Sequence, residues 1–240
     1  MQELHASTRR ACGVMLLSLG LAMHAGAHAH KVWLEPDAQG GYLVQFGGHE
    51  GRLEAFDRAK LQSVRAYDGR GRITEAGIEH ATQGVRVLPS PKAKMIAVEL
   101  DNGYFSGSPG HMRNVPMDQN PGAVRGVHAR KFHKTIIDWN ALTQRDIGQM
   151  FEVTPVQGKP PQAGQWLTFR VQLNGKPLQG ARLSVGENGP HALTDALGLA
   201  RLQVTKGTNH IHAIYREAVP GSTRVTENSY EALLSFAAHD

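Results

Sequence analysis

Thirteen histidines stand against a single cysteine in this chain of 240 residues. Imidazole without thiolate points to nitrogen ligation of a borderline transition metal, and three groupings could supply it. The first is His30, which follows the small-residue run Ala27-His28-Ala29. A cut after Ala29 would give His30 a free α-amine. That amine and the ring Nδ1 could then chelate one ion, and a further imidazole would complete a T-shaped histidine brace. The second is His210-Ile211-His212. Residues i and i+2 of a strand share a face, so both imidazoles would project side by side. The third is Gly47-Gly48-His49-Glu50-Gly51, where glycines let the backbone turn tightly beside two possible ligands. The candidate metal ligands are therefore His30, His49, Glu50, His210 and His212, for Ni²⁺, Co²⁺, Cu²⁺ or Zn²⁺. Each grouping also has a plain reading: a frayed terminus, a pair of surface histidines, and a polar loop tip.

Weaker candidates are His111, His128 and His133, with Met112 and Met117 close to the first of them. A Met/His cluster would suit Cu(I), although methionine in a loop more often fills packing gaps. Motifs of enzymes are missing. The chain has no G-x-S-x-G, no H-E-x-x-H, no P-loop and no dinucleotide fingerprint. The expected function is therefore binding rather than catalysis. The net charge of +5 comes from 26 basic and 21 acidic residues with no dense basic run, which argues against a nucleic-acid partner.

The elements that must position these residues read as strands. Short β-rich runs recur at Lys31–Glu35, Tyr42–Phe46, Leu61–Tyr67, Met95–Leu100, Trp166–Leu173, Ala181–Val185, Leu199–Val204, His210–Tyr215 and Tyr230–Phe236. Turn residues separate them: Asp68-Gly69-Arg70-Gly71, Asp101-Asn102-Gly103, Asn174-Gly175-Lys176-Pro177 and Glu187-Asn188-Gly189-Pro190. The fold class is all-β, with two Ig-like β-sandwich domains. One segment departs from this pattern. Ala129–Leu142 places Phe132, Ile136 and Trp139 at helical spacing and predicts a short helical or irregular connector. Ser106–Pro121, rich in Gly, Pro, Asn and Ser, reads as a long loop. The expected boundary near residue 147 divides an N-terminal sandwich, residues 30–147, from a C-terminal one, residues 148–240.

Residues 1–29 read as a secretory signal peptide. Arg9 and Arg10 form a positive start and Gly13–Met23 an apolar stretch. That stretch is too short for a membrane span of about 20 residues, so none is expected in the processed chain. The implied location is the periplasm. Cys12 falls inside the signal, so the processed chain carries no thiol.

Several segments together resemble a known family. They include Ala29-His30-Lys31-Val32-Trp33-Leu34-Glu35-Pro36, Phe46-Gly47-Gly48-His49-Glu50-Gly51, Val98-Glu99-Leu100-Asp101-Asn102-Gly103-Tyr104-Phe105 and Lys131-Phe132-His133-Lys134-Thr135-Ile136. In the second half, Gly148–Pro155, Leu173–Ala181, Thr194–Gly198 and Tyr230–Phe236 extend the likeness. In their order and spacing they resemble the secreted family described as the periplasmic component of ABC-type cobalt/nickel uptake, or a nickel-uptake substrate-specific region, and otherwise as a domain of unknown function. The resemblance implies a periplasmic Ig-like β-sandwich protein that binds a transition metal, with an ABC-type or outer-membrane transporter as partner. It places His30, His49 and Glu50 on matching positions, and His210 and His212 on a looser part of the pattern. Two rival readings are an interaction module that binds a membrane protein or carbohydrate without metal, and a copper oxidoreductase built on a brace at His30.

Overall fold

The computed structural model describes residues 30–48, 52–81 and 84–240, and among them there is no α-helix. The expected signal peptide over residues 1–29, and the candidate ligands His49 and Glu50, lie outside the described residues. In the first half the strands are β1 (Lys31–Pro36), β2 (Tyr42–Gly47), β3 (Leu61–Asp68), β4 (Ile73–Thr74), β5 (Ala76–Ala81), β6 (Gly84–Pro89), β7 (Ala93–Ser108), β8 (His111–Arg113) and β9 (Arg125–Ile136). In the second half they are β10 (Phe151–Pro155), β11 (Trp166–Leu173), β12 (Lys176–Pro177), β13 (Arg182–Val185), β14 (His191–Leu193), β15 (Leu199–Gln203), β16 (Gly207–Ala218) and β17 (Glu227–Ala238).

They form three sheets. The central one has nine strands in the order β14-β13-β16-β17-β9-β7-β3-β4, with β8 added beside β7. A second sheet runs β1-β2-β6-β5, and a third joins β10, β11, β12 and β15. The central sheet draws strands from both sides of residue 147 through parallel pairing of β17 with β9, from Glu227↔Val127 to Ser235↔Thr135.

Alternation along the strands sends successive side chains to opposite faces of this sheet, and each face meets its own core. Met95, Ala97, Phe132, Ile211, Ala213, Ala232 and Leu234 pack with Phe151, Val153, Leu167 and Phe169 of the third sheet. Ile96, Val98 and Leu100 pack instead with Val32, Leu34, Val44, Phe46, Val85 and Val87 of the second. The chain is thus an all-β protein of stacked sheets, as the strand pattern led one to expect.

Three local expectations change. Ala129–Leu142 is the end of β9 followed by a 3₁₀ turn at Ala141–Gln144, not a helix. The spacing misled because i and i+4 share a face in a strand as well as in a helix. Phe132 and Ile136 face the core by either period. The intervening His133 and Lys134 are also buried, which a helix exposed on one side would not allow. Asp101-Asn102-Gly103 is not a turn but a bulge within the long strand β7, where the pairing with β9 shifts between Asp101 and Gly103. Gly103 supplies the left-handed backbone (φ 86°) that such a bulge uses. The expected loop Ser106–Pro121 is partly ordered as the end of β7, the strand β8 and a 3₁₀ turn at Met117–Gln119.

Candidate functional site

The histidines of β16 follow from sheet alternation. Ile211 and Ala213 fill the core against the third sheet, so His210 and His212 must point to the other face, the side of β1. β1 lies across β9 and β17 on that side. Where it crosses, a cleft of about 260 Å³ opens, lined by Lys31, Trp33, Gly48, Gly186, Glu187, His210 and Leu233.

His210 is the nitrogen donor of this cleft. Its register partner on β17 is Ser235, and the ring Nδ1 lies 2.8 Å from the Ser235 hydroxyl oxygen. Burial lowers its pKa below the ordinary histidine value of 6.5; Glu35 opposes the shift and Lys31 reinforces it. The ring is therefore a neutral imidazole near pH 7, the form that ligates metals. Across the cleft the Lys31 ammonium donates to Glu187 at 3.0 Å. The Trp33 indole N–H is turned to Glu35 at 3.2 Å, so its apolar face is left as a wall.

His30 stands at the start of β1, beside this cleft rather than in its lining. Its ring stacks on Phe46, with centroids 5.5 Å apart and planes 16° from parallel. Its Nε2 lies 3.1 Å from a carboxylate oxygen of Glu54. A Cβ built on Gly48 would sit 3.7 Å from the same Nε2. Gly48 thus lies between the two histidine sites in sequence and space: it lines the cleft with His210, a side chain placed on it would reach the His30 ring, and His49 and Glu50 follow it directly in the sequence.

His212 goes elsewhere. It is 3% exposed, its Nε2 has no hydrogen-bond partner, and it faces the Glu231 carboxylate at 3.8 Å. Glu231 is itself buried and bonded to Lys131 at 2.9 Å. Burial alone would raise the Glu231 pKa, but the Lys131 ammonium and His212 overcome this and hold it at about 2. These three form an internal charge cluster rather than a wall of the cleft.

His133 completes the same face of the sheet. It is fully buried, and its Nε2 meets the Thr135 hydroxyl at 2.7 Å. Burial, reinforced by His210, drives its pKa down to about 3 despite a nearby Leu233 backbone group that acts in the opposite sense. His128 pairs with Asp101 at 2.9 Å and stacks on Tyr104, while His111 is exposed on β8. Neither approaches the cleft lining.

Among the described residues no group of three or more His, Cys, Asp or Glu side chains could hold a metal ion. The structure therefore places His210 in the cleft with Gly48, His30 beside Phe46 and Glu54, and His212 in the interior. Sequence reasoning missed Glu54, Ser235, Lys31 and Glu187. Strand register could have paired Ser235 with His210, whereas no local signal joins Glu54 to His30 across 24 residues.

Comparison with known proteins gives two matches. The family described as a domain of unknown function (DUF4198) matches residues 27–217. An uncharacterised protein of Haemophilus influenzae is 32% identical over 227 residues, which covers 92% of this chain and 97% of that protein. No solved structure matches the chain.

Proposed function

The chain belongs to the family described as a domain of unknown function (DUF4198), and from its cleft we propose that it is a non-catalytic periplasmic protein that binds a divalent transition metal for uptake or delivery. The observation that carries this reading is the neutral imidazole of His210 in a cleft that also contains Gly48. His49 and Glu50 follow that glycine in sequence, and the His30 ring lies 3.7 Å from where a Cβ on it would stand. Nitrogen and carboxylate donors without thiolate suit Ni²⁺, Co²⁺, Cu²⁺ and Zn²⁺. The resemblance to nickel and cobalt uptake components makes Ni²⁺ and Co²⁺ the first ions to test. The ligand set is His210 Nε2, the His30 Nδ1 and α-amine of a chain cut after Ala29, and His49 or Glu50.

The two ring nitrogens of His210 have different tasks. Nδ1 is engaged by Ser235, which leaves Nε2 for the ion. Metal binding requires unprotonated imidazoles, so affinity falls with pH below about 6.5 for an ordinary histidine. His210, shifted lower by burial, stays competent further into acid.

Calorimetry on the secreted, N-terminally sequenced protein tests the proposal. Ni²⁺ or Co²⁺ should bind with Kd below about 100 μM, or about 5.5 kcal/mol. His210→Ala and His49→Ala should each weaken binding at least about tenfold, or about 1.4 kcal/mol. His212→Ala should lower Tm and leave affinity within about twofold. Absence of binding by all four ions to a chain that begins at His30 would sink the proposal and leave the metal-free interaction module as the reading to pursue.

A further inference from the structure

We propose that the protein carries a second binding site, on the opposite face of the central sheet from His210, for an acidic amino acid. The ligand class is defined by its charges: two carboxylates and one ammonium group. The site shares no residue with the His210 cleft and does not depend on the metal reading.

Sheet alternation builds it. Ala97 and Phe132 turn to the core shared with the third sheet. Arg65 is the register partner of Ala97, and Glu99 is that of Phe132. Arg130 stands two residues before Phe132 on β9. All three side chains therefore project on the same face. Glu99 is the diagonal neighbour of each arginine, about 7–8 Å away at the backbone and within reach of long side chains. The three line a cleft of about 550 Å³, with the connector between the halves and the Asn174-Gly175 turn on its other side. Small-molecule sites run from roughly 300 to 1,000 Å³.

The charges of the lining are unequally satisfied. Asp146 is held by Arg170 at 2.8 Å and by the Thr154 hydroxyl at 3.0 Å. Glu152 is held by Lys134 and three backbone N–H groups. Arg130 donates to the Met150 sulfur at 2.7 Å and lies 6.0 Å from the centre of the Phe132 ring. Neither Arg130 nor Arg65 has a carboxylate within ion-pair distance among the described residues, and Glu99 has no cation within it. Glu99 and Arg130 are half-buried, and Arg65 is exposed. The cleft thus presents two positive charges and one negative charge that the protein leaves uncompensated.

That pattern selects its ligand. A bare anion would meet the arginines but be repelled by Glu99, and a bare cation would meet the reverse. A carboxylate on each guanidinium, which suits the planar fork, together with an ammonium on Glu99 satisfies all three groups.

Calorimetry on the secreted protein at low salt, without added metal, tests this. The probes are L-glutamate and glutarate, which keeps both carboxylates and lacks the amine. L-glutamate should bind with Kd below about 1 mM, and glutarate at least about tenfold more weakly. Arg65→Gln and Arg130→Gln should each weaken L-glutamate at least about tenfold. Glu99→Gln should abolish the preference, leaving the two probes within about twofold of each other. Arg65 is exposed, so its variant decides even if Arg130→Gln lowers Tm. A Kd for L-glutamate above about 1 mM, equal affinity of the wild type for both probes, or an Arg65→Gln variant that binds L-glutamate like the wild type overturns the proposal. Failure here leaves the metal proposal standing, and failure of metal binding leaves this one standing.

Discussion

At the scale of single residues, burial separates histidines that are chemically identical. His210 and His212 lie two positions apart on one face, yet one opens on a cleft and the other faces Glu231 in the interior. His133 sits deepest, and its pKa of about 3 makes a prediction about stability. The unfolded chain protonates this histidine near 6.5, whereas the folded chain does so only near 3. Between these values the unfolded state holds more protons. Stability is thus highest above pH 6.5 and declines as pH falls toward 3, at about 1.4 kcal/mol per pH unit from this residue. His210, also lowered, adds in the same direction. Urea unfolding between pH 6.5 and 5 should therefore show a shallower pH slope in His133→Asn than in wild type. Equal slopes would mean that His133 is solvated or protonated in the native state.

At the scale of elements, the same dipeptide signal has two outcomes. Asn174-Gly175 makes a tight turn between β11 and β12, with both residues at positive φ. Asn102-Gly103 instead forms a bulge inside β7, since β9 pairs on both sides of it. Local sequence does not distinguish them, because a left-handed glycine suits either. What surrounds the glycine then sets its tolerance. A Cβ on Gly103 would meet nothing closer than 3.7 Å, whereas one on Gly198 (φ 72°) would lie 2.5 Å from the Val171 carbonyl oxygen. Gly103→Ala should cost about 1 kcal/mol, the left-handed penalty alone. Gly198→Ala should cost about 3 kcal/mol or more, as the clash with backbone adds to the strain. Midpoints of chemical denaturation measure both, and equal losses would contradict the difference in crowding.

At the scale of the whole molecule, a buried ion pair marks the junction between halves. Lys134 of β9 donates to Glu152 of β10 at 2.8 Å, and each side chain is 2% exposed. Burial depresses the Lys134 pKa, and the Glu152 carboxylate acts against that shift. Glu152 also accepts the backbone N–H groups of Ile147, Gly148 and Gln149, so it holds the connection between the two halves as well as the lysine. Glu152→Leu should cost about 3–5 kcal/mol, since it strands a buried charge. Adding Lys134→Met should recover only part of this, because the three N–H groups still lack an acceptor. Full recovery in the double variant, read by denaturant unfolding, would mean that Glu152 serves the lysine alone.

Much of the strand content was legible in the sequence. Alternation and turn residues mark runs such as Tyr42–Phe46 and Trp166–Leu173, and side-chain parity already requires that His210 and His212 oppose Ile211. These are properties of neighbouring residues, and a period of two is imposed by the pleat itself. The pairing of β17 with β9, the crossing of β1 over both strands and the ion pair of His30 with Glu54 were decided only by the tertiary structure. They join residues far apart in the chain, and their geometry depends on how two cores pack against opposite faces of one sheet. Local pattern could say which residues share a face, but not which of those faces would be buried and which would open as a cleft.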